Sequence, residues 1–187
     1  MPPAMIPDLL LADLDRAQSL YAKRFRPAKV GRGNNQSRVQ EVRRDHIAWL
    51  DPLDDQLINW FSWTEALRQL LNQRLFLGLW DFECHFARYR RGDFYAKHLD
   101  AFRDTDIRRV SLVVYLNESW VVEAGGELVL YPQGVAPITV EPHRGTVVLF
   151  LSERIPHEVR PARRQRYSVA GWFRRNTNIG GAIDPSR

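Results

Sequence analysis

Two histidines and one aspartate have the residue types and spacing that a mononuclear iron site requires. His98 and Asp100 lie two positions apart, and His157 stands later in the segment IPHEV. An iron ion that activates dioxygen takes two imidazoles and one carboxylate on one face, so that its other coordination positions stay open for substrate and gas. Residues two apart on a strand project from the same face. We therefore predict that His98, Asp100 and His157 bind Fe(II).

Arg166 adds a cation to this set. It begins the segment RYSVAGWF, whose β-branched and aromatic residues predict a buried strand. A buried guanidinium needs an anionic partner, and its planar shape matches a carboxylate through two parallel hydrogen bonds. If the 2-oxo acid end of 2-oxoglutarate binds the iron, Arg166 can bind the far carboxylate. The alternative is a surface HxD pair, a loop histidine and an arginine paired with a structural acidic residue.

Several stretches carry a family resemblance that runs from about residue 42 to 173. They are 42–49 (VRRDHIAW), 89–100, 113–117 (VVYLN), 125–128 (GGEL) and 156–159 (PHEV), followed by Arg166 and Trp172. In their order and density, these stretches resemble the prolyl-hydroxylase-domain oxygenases. The chain is similar to a bacterial relative of the animal hydroxylases that sense oxygen through the hypoxia-inducible factor.

The resemblance implies an Fe(II)- and 2-oxoglutarate-dependent dioxygenase that uses O2, with ascorbate as a candidate further cofactor. It implies hydroxylation at C4 of a prolyl residue in a protein substrate, with release of succinate and carbon dioxide. Tyr115 and Tyr89 match positions of the cosubstrate pocket, although Tyr115 could instead be a core tyrosine bonded to the backbone. The chain is one residue shorter than the family between Tyr89 and His98, which weakens the match of Tyr89.

The resemblance also indicates a pocket for the substrate proline. Four residues match its lining: Tyr95, Arg108, Trp172 and Trp49. Aromatic walls suit a rigid apolar ring and hold it at low entropic cost. Two choices stay open, because Arg109 could replace Arg108 and because either tryptophan could be ordinary core packing.

Two rival functions stay open beside prolyl hydroxylation. A nucleic-acid demethylase of the same superfamily would suit the positive charge and could use Arg174 as its cosubstrate arginine, but we consider nucleic acid an unlikely partner. A jelly-roll protein that binds metal without turnover is the other rival. Among protein substrates, a component of the translation machinery is our expectation, and the loop that follows the first helix is expected to select it.

The composition fits one domain. The chain has 187 residues, 44% of them apolar, and a formal net charge of +5. This charge permits contact with nucleic acid or an acidic protein without requiring either. Six arginines cluster late in the chain and could form a solvated basic face or a partner patch; they are Arg160, Arg163, Arg164, Arg166, Arg174 and Arg175.

Compartment and assembly follow from what the sequence contains. Cys84 is the only cysteine, so it cannot form an internal disulfide, and we expect it to pack as a small apolar residue. The first twenty residues carry three aspartates and do not resemble a secretory signal, and no apolar run is long enough to span a membrane. We expect a cytoplasmic monomer.

Apolar spacing predicts two helices followed by many strands. An amphipathic helix is predicted to begin with Asp8 as its N-cap, and a second helix is predicted within 51–74. Between them, 26–44 is predicted to be a flexible loop or two-stranded finger, in which Arg43 and Asp45 could form a hinge ion pair or only a charged strand edge. Strands are predicted at 76–89, 95–99, 109–116, 127–131, 145–151 and 166–173.

These elements predict an α+β, mainly β fold. Many short strands after two helices favour a closed or sandwiched antiparallel architecture backed by helices, and the resemblance implies a double-stranded β-helix, or jelly roll. We expect a single dioxygenase domain over 1–187. Its parts are helical support in about 1–74, a jelly-roll core in about 75–175 and a short C-terminal tail in 176–187.

Overall fold

The computed structural model describes residues 6–29, 39–101 and 107–176, and the backbone of 178–179 and 182–183. Its helices are α1 (Asp8–Leu20) and α2 (Ile58–Leu75), with 3-10 turns at Tyr21–Lys23, Asp55–Leu57 and Val122–Ala124. The strands are β1 (Arg26–Pro27), β2 (His46–Trp49), β3 (Leu79–Tyr89), β4 (Tyr95–His98), β5 (Arg108–Tyr115), β6 (Leu128–Leu130), β7 (Ile138–Val140), β8 (Val147–Leu151), β9 (His157–Val159), β10 (Arg166–Arg175), β11 (Asn178–Ile179) and β12 (Ala182–Ile183).

Two antiparallel sheets form the core. The larger has the order β1-β2-β3-β10-β5-β8, and the smaller has the order β4-β9-β6-β7. Side chains of both sheets share one apolar cluster, to which the larger sheet contributes Tyr115 and Phe150 and the smaller contributes Leu128 and Val159. This face-to-face packing confirms the predicted jelly-roll core backed by helices.

Helix α1 buries one face against the larger sheet, as predicted. Leu10, Leu14 and Ala17 are buried in a core that also holds Cys84 of β3. Burial raises the pKa of the Cys84 thiol to about 12, which fits its predicted role as a small apolar residue. The predicted N-cap is wrong, because Pro7 occupies that position and Asp8 lies in the first turn. There the carboxylate still opposes the positive end of the helix dipole.

Helix α2 ends at a residue with a left-handed backbone conformation, and the next strand begins later than predicted. Phe76 has φ 51° and is 88% exposed, so the strand predicted from residue 76 begins instead at Leu79. The side chain of Asn72 holds this junction, since its carbonyl accepts from the Leu79 amide at 2.7 Å and its amide donates to the Leu79 carbonyl at 2.8 Å. The polar helix end therefore fixes where β3 starts.

Other predictions meet the structure only in part. The finger was predicted over 26–44, of which 30–38 lies outside the described residues. Much of the predicted tail at 176–187 also lies outside them. Strands β2, β7 and β9 were not predicted, and neither were the short strands β11 and β12. None of the helices in the described part of the chain is long and apolar enough to cross a membrane.

Candidate active site

The three predicted metal ligands come together at one end of the smaller sheet. His98 is the last residue of β4 and pairs in register with His157 of β9. Asp100 lies in the bend just after β4. One ligand atom from each of the three lies within 4.8 Å of the others. The Nε2 atoms of the two histidines are each 3.5 Å from a different oxygen of Asp100.

Backbone carbonyls orient both imidazoles. Nδ1 of His98 lies 2.8 Å from the carbonyl of Ala96, and Nδ1 of His157 lies 3.1 Å from the carbonyl of Ile155. Each Nδ1 therefore carries the ring proton and donates a hydrogen bond to its carbonyl. The lone pair of each Nε2 is then directed at the point between the three ligands. Burial lowers the pKa of His157, with Asp100 opposing this effect and His98 adding to it, so its imidazole is neutral and able to bind a metal.

Asp100 is held as a carboxylate by its neighbours. Burial alone would raise its pKa, but the adjacent His157 and His98 and the hydroxyl of Ser111 outweigh burial and hold the pKa of Asp100 well below its usual value. The Ser111 hydroxyl on β5 donates to Oδ2 at 2.7 Å, and the hydroxyls of Ser111 and Ser152 lie 2.8 Å apart. The larger sheet therefore positions a ligand of the smaller one.

Arg166 is a buried cation that has no counterion in the described part of the chain. It lies on β10 with 2% of its surface exposed, and among the described residues it forms no ion pair. One terminal nitrogen donates to the Ser168 hydroxyl at 3.3 Å, while Nε has no partner. Two rings flank the guanidinium, Tyr89 at 4.8 Å and Tyr115 at 4.9 Å. A buried charge of this kind is costly unless an anion joins it.

The hydroxyl of Tyr115 is buried beside the Arg166 guanidinium, and no other described residue gives it a hydrogen-bond partner. The backbone-bonded core tyrosine considered for Tyr115 is therefore not what the structure shows. Burial raises the pKa of Tyr115, so the phenol keeps its proton and can donate it. Arg166 and Tyr115 together offer donors to one anionic group.

One cleft joins this cation to the metal ligands. Its lining includes the three proposed ligands together with Arg166 and Tyr89. A small diacid that binds both the metal ligands and Arg166 would therefore lie within this cleft.

Three of the four predicted proline-pocket residues line the same cleft, namely Tyr95, Arg108 and Trp172. The ring of Tyr95 stacks on that of His98 with centroids 3.5 Å apart, and the Arg108 guanidinium lies 3.6 Å from the Trp172 ring centroid. Trp49 is 51% exposed and lies at the rim, 6.3 Å from Trp172.

The choice between the two adjacent arginines is settled by their partners. Arg108 lines the cleft and donates to Oε1 of Glu83 at 2.9 and 2.7 Å. Arg109 instead pairs with Glu153. Consecutive residues of a strand point to opposite faces, which is why only one of them can reach the cleft.

Sequence reasoning missed two parts of the cleft wall. His85 on β3 is buried between the rings of Trp49 and Trp172, and a lone histidine on a strand gives no spacing signal. Asp45 is buried and accepts two hydrogen bonds from Arg43, at 2.8 and 2.6 Å. The Arg43 guanidinium also lies 4.2 Å from the Tyr95 ring centroid. Arg43 and Asp45 thus form an ion pair in the wall rather than a charged strand edge.

Arg174 has a different environment from Arg166. It pairs with both oxygens of Asp81 and with Glu83 at 3.2 Å, and it does not line the cleft. The six late arginines therefore do not form one solvated face, since Arg166 is buried. This pairing leaves Arg174 unsuited to bind a cosubstrate carboxylate.

The residues present fit an iron ion and 2-oxoglutarate. Two neutral imidazoles and one carboxylate are the donor set that non-haem Fe(II) oxygenases use. The unpartnered Nε of Arg166 and hydroxyl of Tyr115 are the orphaned donors that a carboxylate would satisfy.

Comparison with known proteins agrees with this geometry. Residues 84–174 match the 2OG-Fe(II) oxygenase superfamily. The crystal structure of a Pseudomonas putida prolyl-4-hydroxylase is similar at 42% identity and a TM-score of 0.82, covering 92% of this chain and 90% of that chain.

Two relatives from animals are also similar. A Trichoplax adhaerens prolyl hydroxylase, solved in complex with a hypoxia inducible factor peptide fragment, shows 29% identity and a TM-score of 0.77, covering 88% of this chain and 78% of that chain. The hypoxia-inducible factor prolyl hydroxylase of Caenorhabditis elegans is 30% identical over 146 residues, which are 72% of this chain and 20% of that protein. The chain thus spans about a fifth of the length of this curated relative.

Proposed function

The chain belongs to the 2OG-Fe(II) oxygenase superfamily, and on that premise we propose that it hydroxylates a prolyl residue of a protein substrate. Its cofactor is Fe(II), and its cosubstrates are 2-oxoglutarate and O2. The observation that carries the proposal is the meeting of His98, Asp100 and His157 with the unpaired, buried Arg166 in one cleft. The similarity to prolyl hydroxylases supports the choice of a prolyl substrate.

Each residue of the metal end has a defined task. His98, Asp100 and His157 would hold the iron through two Nε2 atoms and a carboxylate oxygen. When bound, iron and 2-oxoglutarate supply the oxidising power that inserts oxygen into an unactivated C–H bond, with release of succinate and carbon dioxide. Arg166 and Tyr115 bind the far carboxylate of 2-oxoglutarate, and Tyr89 covers the guanidinium with its ring.

Further residues of the cleft lining would hold the substrate. We place the proline ring beside Tyr95 and Trp172, whose rings line the cleft, and Arg108 is held over Trp172 by its bonds to Glu83. The indole Nε1 of Trp172 has no hydrogen-bond partner among the described residues, so it is free to donate to a substrate carbonyl. These walls exclude water from the reacting C–H bond.

The rival demethylase loses its main support. Its proposed cosubstrate arginine, Arg174, is already neutralised by Asp81 and Glu83. For the target, we propose a translation-machinery protein, and for the active species, a cytoplasmic monomer with one catalytic domain.

Turnover and product mass test the proposal. Purified protein with Fe(II), ascorbate and 2-oxoglutarate is incubated with proline-containing peptides or a cell extract. We expect succinate to form in a 1:1 ratio with a +16 Da shift on a prolyl residue. Consumption of 2-oxoglutarate that no protein or peptide stimulates, or loss of a methyl group from a base instead, would contradict it.

Paired histidine variants control for folding and for adventitious metal. His157→Ala should abolish succinate formation, because it removes one of the two imidazole donors. His143→Ala should retain it, because His143 is half exposed, pairs only with Glu141 and lies outside the cleft. The His157→Ala protein also serves to retain the substrate from an extract for identification by mass spectrometry.

A further inference from the structure

A second groove, rich in cations, opens from the rim of the cleft. Five cations line it, Arg24, Arg26, Lys29, Arg43 and Arg108, whereas its lining contains one acidic residue, Asp100, which belongs to the metal site. The cleft and the groove share wall residues, including Arg43, Arg108 and Asp100. A chain that leaves the cleft on this side therefore enters the groove directly.

Only some of these cations are available to a ligand. Arg43 is neutralised by Asp45, and Arg108 is neutralised by Glu83. Within the described part of the chain, by contrast, Arg24, Arg26 and Lys29 form no ion pair. Three exposed positive charges thus remain along one side of the groove, beyond the metal site.

Local contacts hold the two arginines, and Arg24 also lies near Asp54, whose pKa it helps to lower. One terminal nitrogen of Arg26 donates to the carbonyls of Lys23 and Phe25 at 2.9 and 3.0 Å. The Arg24 guanidinium lies 4.2 Å from the centroid of the Tyr21 ring. These contacts leave further guanidinium donors free in both arginines, since each guanidinium has five N–H groups.

Apolar surface accompanies the charge. Trp49 and Leu99 line the groove, and they are exposed by 51% and 37%. Large exposed apolar side chains beside free cations suit a peptide that carries both apolar and acidic residues. A nucleic-acid backbone is a poorer match, because its binding typically draws on longer arrays of unpaired cations.

We propose that this groove binds an acidic segment of the protein substrate, adjacent to the prolyl residue that enters the cleft. The inference rests on the proposed function, since it takes the cleft occupant to be a prolyl residue. Carboxylates of the segment pair with Arg24, Arg26 and Lys29, while its apolar side chains pack on Trp49. The groove then selects among proline-containing proteins by the charge next to the proline.

Direct binding of labelled peptides tests this inference. Two short peptides share one proline and differ only in flanking residues, Asp and Glu in one and Asn and Gln in the other. Fluorescence anisotropy at low salt should show the acidic peptide binding about tenfold more tightly. The triple variant Arg24→Glu, Arg26→Glu, Lys29→Glu should lose this preference, and added salt should weaken it in the original protein.

A charge-matched variant separates the groove from net charge. Arg74→Glu, Arg91→Glu and Arg160→Glu together change the charge by the same amount at exposed positions that line neither the groove nor the cleft, and this protein should keep the preference. Equal binding of both peptides, or equal loss in both triple variants, would overturn the inference. So would a single-stranded oligonucleotide that displaces the acidic peptide and itself depends on the three groove cations.

Two measurements together distinguish an error in the groove inference from an error in the proposed prolyl hydroxylation. Substrate-independent consumption of 2-oxoglutarate should be the same in the original protein and in the groove variant, because none of the three cations lines the cleft. If consumption is normal and the charge preference is absent, the groove inference is wrong and the proposed function stands. If the preference is present and no prolyl product forms, the proposed function is wrong.

Discussion

His85 is a buried imidazole in the cleft wall whose charge state depends strongly on folding. Burial, with the nearby cations Arg43 and Arg108, lowers its pKa to about 4, and Asp45 only partly opposes this. In the unfolded chain the same imidazole takes up its proton near the ordinary value of 6.5. The neutral His85 imidazole therefore makes its full contribution to the free energy of unfolding above about pH 6.5. This contribution is lost as the pH falls towards 4, and the loss is at most about 3 kcal/mol.

Replacing His85 should remove this component of acid sensitivity. In His85→Leu, the free energy of unfolding should fall less between pH 6.5 and 4 than in the original protein. The reason is that leucine cannot bind the proton that the His85 imidazole binds in the unfolded chain but not in the folded one. Urea unfolding at a series of pH values measures the difference. His143→Leu, at a half-exposed position, should retain the original pH dependence, and identical curves for all three proteins would refute the burial argument.

Arg166 should destabilise the protein in the absence of 2-oxoglutarate and stabilise it in its presence. Arg166→Met removes a buried charge for which the described residues supply no counterion, so we expect its Tm without ligand to equal or exceed that of the original protein. With 2-oxoglutarate and a redox-inert metal at saturation, the original protein should gain roughly 5 °C, and the variant should gain nothing from 2-oxoglutarate. Differential scanning calorimetry measures both quantities.

An exposed arginine provides the comparison for that experiment. Arg175 lies on the same strand and donates through Nε to the Leu77 carbonyl at 2.8 Å. Arg175→Met should therefore keep the full Tm gain on adding 2-oxoglutarate. A gain that survives in Arg166→Met would show that the diacid binds elsewhere.

At the scale of elements, β5 acts on the metal site through a single hydroxyl. Ser111→Ala removes the hydrogen bond to Oδ2 of Asp100 and leaves that carboxylate free to rotate, so Fe(II) affinity should fall about 10- to 100-fold. Anaerobic titration calorimetry with Fe(II) measures the change. Ser152→Ala should have a smaller effect, because it leaves the bond between Ser111 and Asp100 in place; an equal loss in both would assign the role to the pair of serines.

Elements with strong periodicity or dense β-branched content could be predicted from the sequence. The segment of β10 and the apolar face of α1 were found in this way. Strand β7 was missed because Ile138 and Thr139 are both exposed, so no alternation marks it. The junction after α2 was misplaced because a left-handed Phe76 is an outcome of how the helix packs, and phenylalanine does not signal it.

The candidate site also contains residues that could be predicted from the sequence and residues that could not. The metal ligands and Arg166 have chemical signatures in their types and order, and a sequence shows those. His85 has none, because it reaches the cleft through the pairing of strands, in which it lies between Trp49 of β2 and Ala170 of β10. The pairing of Asp45 with Arg43 was considered from the sequence, but its place in the cleft wall was not. Such contacts depend on register and burial, which are properties of the packed sheets.

At the scale of the whole molecule, the proposed metal would join the two sheets. His98 and His157 come from β4 and β9 of the smaller sheet, and Asp100 is bonded to Ser111 of β5 in the larger sheet. Binding in the folded state alone stabilises that state by about 2.7 kcal/mol at a hundredfold excess over the Kd. For a chain of this size, the Tm should rise by roughly 5–10 °C on adding Fe(II) or Mn(II).

Hydrogen exchange can show where this stabilisation acts. If the metal ties the sheets together, amides of β4, β9 and β5 should exchange more slowly after metal is added, and chelation should reverse the change. His157→Ala should lose both the Tm gain and the added protection, while His143→Ala keeps them. Slower exchange confined to β4 and β9 would mean that the metal orders only the smaller sheet, and that the bond between Ser111 and Asp100 carries no coupling to the larger one.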